Sequence, residues 1–306
     1  MYDSVHEEPF NEAFKKIKNY HYTNNLTKKI ANPPNLRRYN CFCLWSDLLG
    51  FGRMWTACNW KPNIFQSRKI YRRLQRAHSA VLYYSSPFEH NLILNDGVAK
   101  VLSNPNILDK SKLTTISIFL RSCIQLHIHI NAEEHNHGYP GTRSVLAYGM
   151  GIEYLYEQVT FDDYVLNYTK PKGSDTSNMV KEHGDTITIY NPRELQMNTA
   201  FSKAYLLERL GSEKNITGNN LFIDQSVLEA LFALAKKGNI EPIKQIEDGK
   251  AVILFPYNKN CTNFVYMGFE FDKIIPVENE GWKTTVYRLK KFFPHDEKID
   301  DFCFEL

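Results

Sequence analysis

The sequence predicts a mixed α and β chain, with helices packed on one face of a mixed sheet. Short β-rich runs alternate with amphipathic helical stretches, the alternation lacks the regular beat of a doubly wound sheet, and the C-terminal stretch holds strands and turns alone. The 306 residues, 43% of them hydrophobic, can bury a full core without disulfide or metal staples. Thirty-seven basic residues against 34 acidic ones leave a net charge of +3, which excludes an acidic disordered chain and a histone-like one. Nucleic acid is therefore not an expected partner. No run approaches the ~20 apolar residues of a membrane span. The N-terminal stretch MYDSVHEEPF carries acids and no apolar segment, so no membrane partner and a cytoplasmic location are expected.

The elements follow in chain order. Residues 1–38 are polar and helix-prone, with Phe10, Phe14 and Ile17 on one stripe, and Asn32-Pro33-Pro34-Asn35 ends them; they predict a helical arm. Tyr39 to Leu49 predicts a strand closing on Gly50-Phe51-Gly52. Asn63 to Ser79 predicts a basic helix whose Arg68, Lys69, Arg72, Arg73 and Arg76 read as a solvated face. Ser79 to Ser85 and Asn91 to Asn95 look like two hairpin arms, the second delivering Asp96. Lys112 to Ile130 has the clearest helical periodicity, with Ile116, Phe119, Leu120, Cys123, Ile124 and His127 recurring. Gly141 to Gly149 reads as a strand, and Thr160 to Gly184 as an insertion or mobile loop. Thr186 to Tyr190 is a strand, and Leu195 to Leu210 a helix stopped by Gly211. Gln225 to Lys236 is a helix capped by Asp224, and AVILF, FVYMGFEF and TTVYRL supply the last strands.

Six cysteines without a C-x-x-C pair read as reduced, mostly buried thiols. His127, His129, His135 and His137 crowd together, but i,i+2 histidines on a helix point about 200° apart, which argues for a helix end running into a polar loop rather than a metal site. Asp47 and Asp96 form the stronger constellation. Each ends a predicted strand, and neighbouring strands would bring both carboxylates to one sheet edge. Magnesium takes hard oxygen ligands and keeps several waters, so two carboxylates plus substrate phosphates make a sufficient cage for in-line phosphoryl displacement.

SDLLGFG, Ser46 to Gly52, resembles the strand-end motif of class III nucleotide cyclases, and NLILNDGVAKV, around Asp96, is similar to that family's second metal-binding hairpin. RSVLAYG, Arg143 to Gly149, resembles the next strand of bacterial members, and LQMNTAFSKAYLLE resembles the helix whose asparagine orients the ribose. The resemblance spans about residues 39 to 230 in the right order. It implies an α+β fold: a ferredoxin-like cyclase core over 39–244 with a mixed, mainly antiparallel sheet, the helical arm over 1–38, and a C-terminal β-rich extension over 245–306.

The resemblance also implies two Mg2+ or Mn2+ ions held by Asp47, Asp96 and the main-chain carbonyl of Leu48. The ribose 3′-hydroxyl then attacks the α-phosphate and expels pyrophosphate. Leu49, Gly50, Phe51 and Gly52 would present backbone amides to the phosphates. Because the family shares its sites between subunits, a homodimer is implied, with Asn198 acting across the interface. The family's transition-state arginine is replaced by Ser202, which leaves Arg143, Arg193 or Lys203 to substitute. At the base-reading positions stand Leu92 and Asn191, and neighbouring Tyr83, Phe88 and Tyr190 add bulk.

A smaller base follows from that bulk, and Asn191 can pair with uracil or cytosine. The overall pattern is similar to the pyrimidine nucleotide cyclases of Pycsar antiphage systems, which implies a UTP or CTP substrate, UTP favoured, and a cyclic product sensed by a separate effector. Two other readings compete: a catalytically degenerate cyclase-fold sensor or scaffold, and a palm-like nucleotidyltransferase or nucleic-acid-binding protein.

Overall fold

Strand β1 (Asn35–Leu48) alternates its side chains between two faces, with Phe42, Leu44 and Leu48 in one buried cluster and Cys41, Cys43 and Trp45 on the other side. That strand lies inside a ten-stranded sheet. The computed structural model describes residues 35–86, 89–103, 111–155, 177–182, 185–190, 195, 197–258, 261–295 and 302–306. Most of the expected arm, together with Phe88, Asn191 and Arg193, lies outside them.

After β1 come α1 (Gly52–Thr56) and α2 (Ile64–Tyr83), then β2 (His90–Leu94), β3 (Gly97–Ser103), α3 (Ser111–Asn136) and β4 (Thr142–Leu155). These strands stand in the order β2-β3-β1-β4, with β3 antiparallel to both β1 and β2. This is the ferredoxin-like βαββαβ arrangement. The chain continues through the hairpin β5 (Ser177–Glu182) and β6 (Asp185–Tyr190), then α4 (Thr199–Leu210), β7 (Leu221–Asp224) and α5 (Gln225–Lys237). The last strands are β8 (Ile243–Glu247), β9 (Lys250–Asn258), β10 (Cys261–Asn279), β11 (Trp282–Phe293) and β12 (Phe304–Glu305).

Strand β7 pairs parallel with β4, and β11, β10, β9 and β8 extend the sheet antiparallel from it, so the architecture is α+β with a mainly antiparallel sheet. Residues 245–306 thus carry on the same sheet. The described residues of 39–151 and 192–306 form one compact unit, and the described residues 35–38, 152–155 and the antiparallel β5–β6 pair belong to another.

Two expectations change. Residues 79–83 belong to α2 rather than to a hairpin arm: Ile70, Arg73, Ala77, Ala80 and Val81 are buried at helical spacing, so tertiary burial overrides the β-leaning VLYY. The hairpin is instead β2–β3, with Asp96 in its tight turn. Helices also occupy both faces. Residues of α2, α3 and α5 join one cluster, whereas Ala204 and Leu207 of α4 join Trp45, Val145 and Ala147 on the other.

Local signals explain the helix ends. Asn63 accepts from the amides of Phe65 and Gln66, each at 3.0 Å, while Gln66 accepts from the Asn63 amide at 2.8 Å, completing a capping box. Asp224 caps α5 by accepting from the Ser226 amide at 3.1 Å. By length and composition α3 would pass for a membrane-crossing helix, yet most of its apolar stretch is buried inside the chain.

Candidate active site

Strand pairing brings the two aspartates together. Asp47 lies opposite Gly97 in the β1–β3 ladder, and the Leu48 amide donates to the Asp96 carbonyl at 3.2 Å. Gly97 makes this fit possible, because a Cβ there would sit 2.2 Å from the Trp45 ring. Burial, with the negative charges of Glu208 and Asp96, pushes the Asp47 carboxyl up to about 7 against the opposing pull of Arg143 and Arg73. Two carboxylates are thus crowded where positive charge is short. A cation would relieve that imbalance, so the residues fit a hard metal site.

Behind Asp47 a polar network is buried between β1, β4 and α3. Asn131 fixes its direction: its carbonyl oxygen accepts from the Thr142 amide at 2.8 Å, which turns its NH2 group toward His127 Nε2 at 3.0 Å. His127 Nε2 is therefore the acceptor, and Nδ1–H donates to Ser144 Oγ at 2.9 Å. Ser144 bonds Ser46 at 2.8 Å, Ser46 bonds Thr142 at 2.8 Å, and Thr142 donates to the Asp47 carbonyl at 2.8 Å. Burial holds His127 down to about 3, in keeping with a neutral ring. The chain of donors fixes the backbone that carries the first carboxylate.

The loop after Asp47 is held as firmly. Gly50 takes φ +68°, a conformation that side chains with a Cβ resist, and the Leu49 amide donates to the Gly141 carbonyl at 2.9 Å. The Phe51 amide donates to the Leu48 carbonyl at 3.3 Å, and Phe51 is buried. The expectation that residues 49–52 all offer their amides therefore narrows: of these four amides, those of Leu49 and Phe51 are engaged, and those of Gly50 and Gly52 have no acceptor among the described residues. Arg73, 1% exposed, grips the loop from outside. Its Nη2 donates to the Leu49 carbonyl at 2.9 Å, its Nε donates to Glu134 at 2.9 and 3.1 Å, and its guanidinium lies 4.4 Å from the Tyr139 ring centre.

The remaining expected residues sit on or near α4. Arg143 donates through Nε and Nη2 to Glu208 at 3.0 and 2.6 Å, so its charge is already shared. Asn198 is 1% exposed and caps α4, its Oδ1 accepting from the Phe201 amide at 3.0 Å and from Cys41 Sγ at 3.3 Å. The carboxamide oxygen is thus engaged in capping its own helix. Ser202 Oγ donates to the Asn198 carbonyl at 3.0 Å, and Lys203 Nζ donates to the Tyr148 carbonyl at 3.1 Å. Leu92 pairs with Ala99 and packs on the cluster that holds Trp45. Tyr83, expected beside the base, is instead 81% exposed at the end of α2.

No protein-family model matches the sequence, and no curated protein does. Among solved structures, the chain is similar to the guanylyl cyclase Cya2, with TM-score 0.40 and 10% identity over 86% of this chain and 98% of that one. It is similar to the adenylyl cyclase CyaB from P. aeruginosa, with TM-score 0.36 and 11% identity over 83% of this chain and 95% of that one. A bacterial light-regulated adenylyl cyclase gives TM-score 0.34 and 12% identity over 94% of this chain and 66% of that one.

Sequence reasoning missed three charged groups. Arg73 had been assigned to a solvated face, and nothing in a run of basic residues separates the buried one except its place on the apolar stripe with Ile70 and Ala77. Glu208 is buried beside Arg143. Lys100, wholly buried on β3, pairs with Glu89 and donates to the Tyr84 carbonyl at 2.7 Å and Asn91 at 3.0 Å. The four histidines disperse: His127 joins the network, His129 meets Tyr84, His135 meets Asn219, and His137 bonds the Glu133 carbonyl.

Proposed function

We propose that the chain is a nucleotidyl cyclase, closing a nucleoside triphosphate to its 3′,5′-cyclic monophosphate with release of pyrophosphate. The observation that carries this reading is the convergence of Asp47 and Asp96 at adjoining strand ends, in a setting that raises the Asp47 carboxyl to about 7. The oxygens that would hold Mg2+ or Mn2+ are those two carboxylates and the Leu48 carbonyl, and the ions when bound would neutralise phosphate charge and acidify the attacking 3′-hydroxyl. The donor chain from His127 to the Asp47 carbonyl keeps the first carboxylate in place, and Arg73 keeps the Leu49 turn closed. The amides of Gly50 and Gly52 remain for phosphate oxygens.

Base choice falls to Leu92, which offers the base no hydrogen bond, while Trp45, Phe201 and Tyr205 fill the neighbouring space. These features favour a small base, and the choice of a pyrimidine, UTP before CTP, is carried over from the resemblance. From the resemblance to the Pycsar enzymes we extend the proposal to a cytoplasmic homodimer whose cyclic product signals to a separate effector in antiphage defence. A second reading, a catalytically degenerate nucleotide sensor, is favoured by Ser202 standing where a cation is needed and by the commitment of Arg143 to Glu208.

The test is incubation of the protein with Mn2+ and each of the four NTPs, reading pyrophosphate and the mass of the product. Cyclic UMP is expected, and Asp47→Asn or Asp96→Asn should lower turnover roughly a hundredfold or more with the circular dichroism spectrum unchanged. Silence with all four NTPs would favour the sensor. Full turnover in both variants would remove the metal assignment.

A further inference from the structure

Outside the candidate active site, a cavity of about 410 Å³ opens between α2 and the segment after α3, lined by Phe65, Arg68, Lys69, Arg72 and Arg76 on one side and by Tyr139 on the other, with His137 at its margin. Arg68, Arg72 and Arg76 recur every four residues and so stack on one helix face, where like charges at i,i+4 weaken a helix. Among the described residues, Arg68, Lys69 and Arg72 have no ion pair. The nearby acids are engaged: Glu134 binds Arg73, and Glu133 lies 3.9 Å from His137. Arg76 supplies a separate sign, since its Nε is buried without a hydrogen-bond partner, a costly state for a guanidinium.

We propose that this pocket binds a small polyphosphate anion at a site distinct from the Asp47–Asp96 edge. Arg68, Arg72 and Arg76 present guanidinium groups suited to two-pronged phosphate bonds, Lys69 adds a mobile ammonium, and the cavity volume fits a ligand of nucleotide size. Phe65, 75% exposed, offers a flat apolar face at the rim for a base if the polyphosphate carries one. Tyr139 connects the pocket to the loop after Asp47, because its ring lies 5.8 Å from Lys69 Nζ, 6.0 Å from the Arg76 guanidinium and 4.4 Å from that of Arg73.

The experiment titrates the full chain with inorganic tripolyphosphate, and separately with UTP, by calorimetry in EDTA so that the aspartate pair holds no metal. One site per chain is expected. The exposed double variant Arg68→Gln/Arg72→Gln should bind roughly tenfold or more weakly, and Asp47→Asn should bind as the parent does, which separates this site from the catalytic one. Tighter binding of UTP than of tripolyphosphate would assign a nucleotide, and equal binding a bare polyphosphate. In the parent protein, tripolyphosphate should also shield Lys69 from acetylation while leaving Lys236 and Lys237 reactive. Absence of saturable binding, binding unchanged in the double variant, or a single-stranded RNA that outcompetes both anions through the same arginines would overturn the proposal.

Discussion

Replacing Arg73 by methionine leaves Glu134 charged, 3% exposed at its side chain and without its cation, and strips the Leu49 carbonyl of its donor. Breaking a buried pair from one side costs about 3–5 kcal/mol, because the surviving charge stays desolvated. Urea denaturation at pH 7 should show a loss of that size for Arg73→Met. In Arg73→Met/Glu134→Leu both charges are gone, and apolar side chains of similar bulk can fill the site beside Phe51 and Tyr139, so stability should return to within about 1 kcal/mol of the parent. Turnover should not return with it, since the Leu49 carbonyl still lacks the guanidinium and the turn after Asp47 is loosened. Pyrophosphate release measured on the same samples separates the two effects. A single variant costing no more than the ~0.5 kcal/mol of an ordinary surface change, or a double variant with both stability and turnover restored, would refute the argument.

Two further predictions concern His127 and Gly97, on the two sides of β1. His127 titrates at 6.5 when unfolded and near 3 when buried, so its share of stability is complete above pH 6.5 and falls as pH drops toward 3. By pH 5 the loss is about 2 kcal/mol, and His127→Gln, which can still donate and accept, should lose that much less between pH 7 and 5; parallel urea curves for the two proteins would count against a neutral buried ring. Gly97→Ala drives a methyl group into the Trp45 ring and should cost about 1–3 kcal/mol by overpacking, with a shift in tryptophan emission, whereas an unchanged melting temperature would mean that the ring moves aside freely.

The part of the site that was legible in the sequence is the part set by local chemistry. An aspartate before Leu-Leu-Gly at the end of an apolar run marks the end of β1 whatever surrounds it, and Asn63, Asp224 and Gly211 mark their helix ends by capping chemistry alone. The rest depends on partners distant in the chain. Residues 79–83 have strand-like composition and become helical because Ala80 and Val81 find a core. Arg73 and Lys100 look like surface cations until Glu134 and Glu89 are placed beside them. Asn198 was read for its resemblance to a ribose-binding residue, and its position one residue before α4 gives it a capping duty that the same sequence also encodes.

The sheet order has a bearing on how the chain reaches its native state. Strand β7 is flanked by β4 on one side and β11 on the other, so both of its neighbours come from remote stretches of sequence. A nascent chain that has emerged only as far as residue 244 exposes the β7 edge, rich in Leu221, Phe222 and Ile223, with nothing yet made to cover it. Folding of the half that carries the aspartates is thus coupled to synthesis of the far half, and slow maturation is the expected consequence of that wiring.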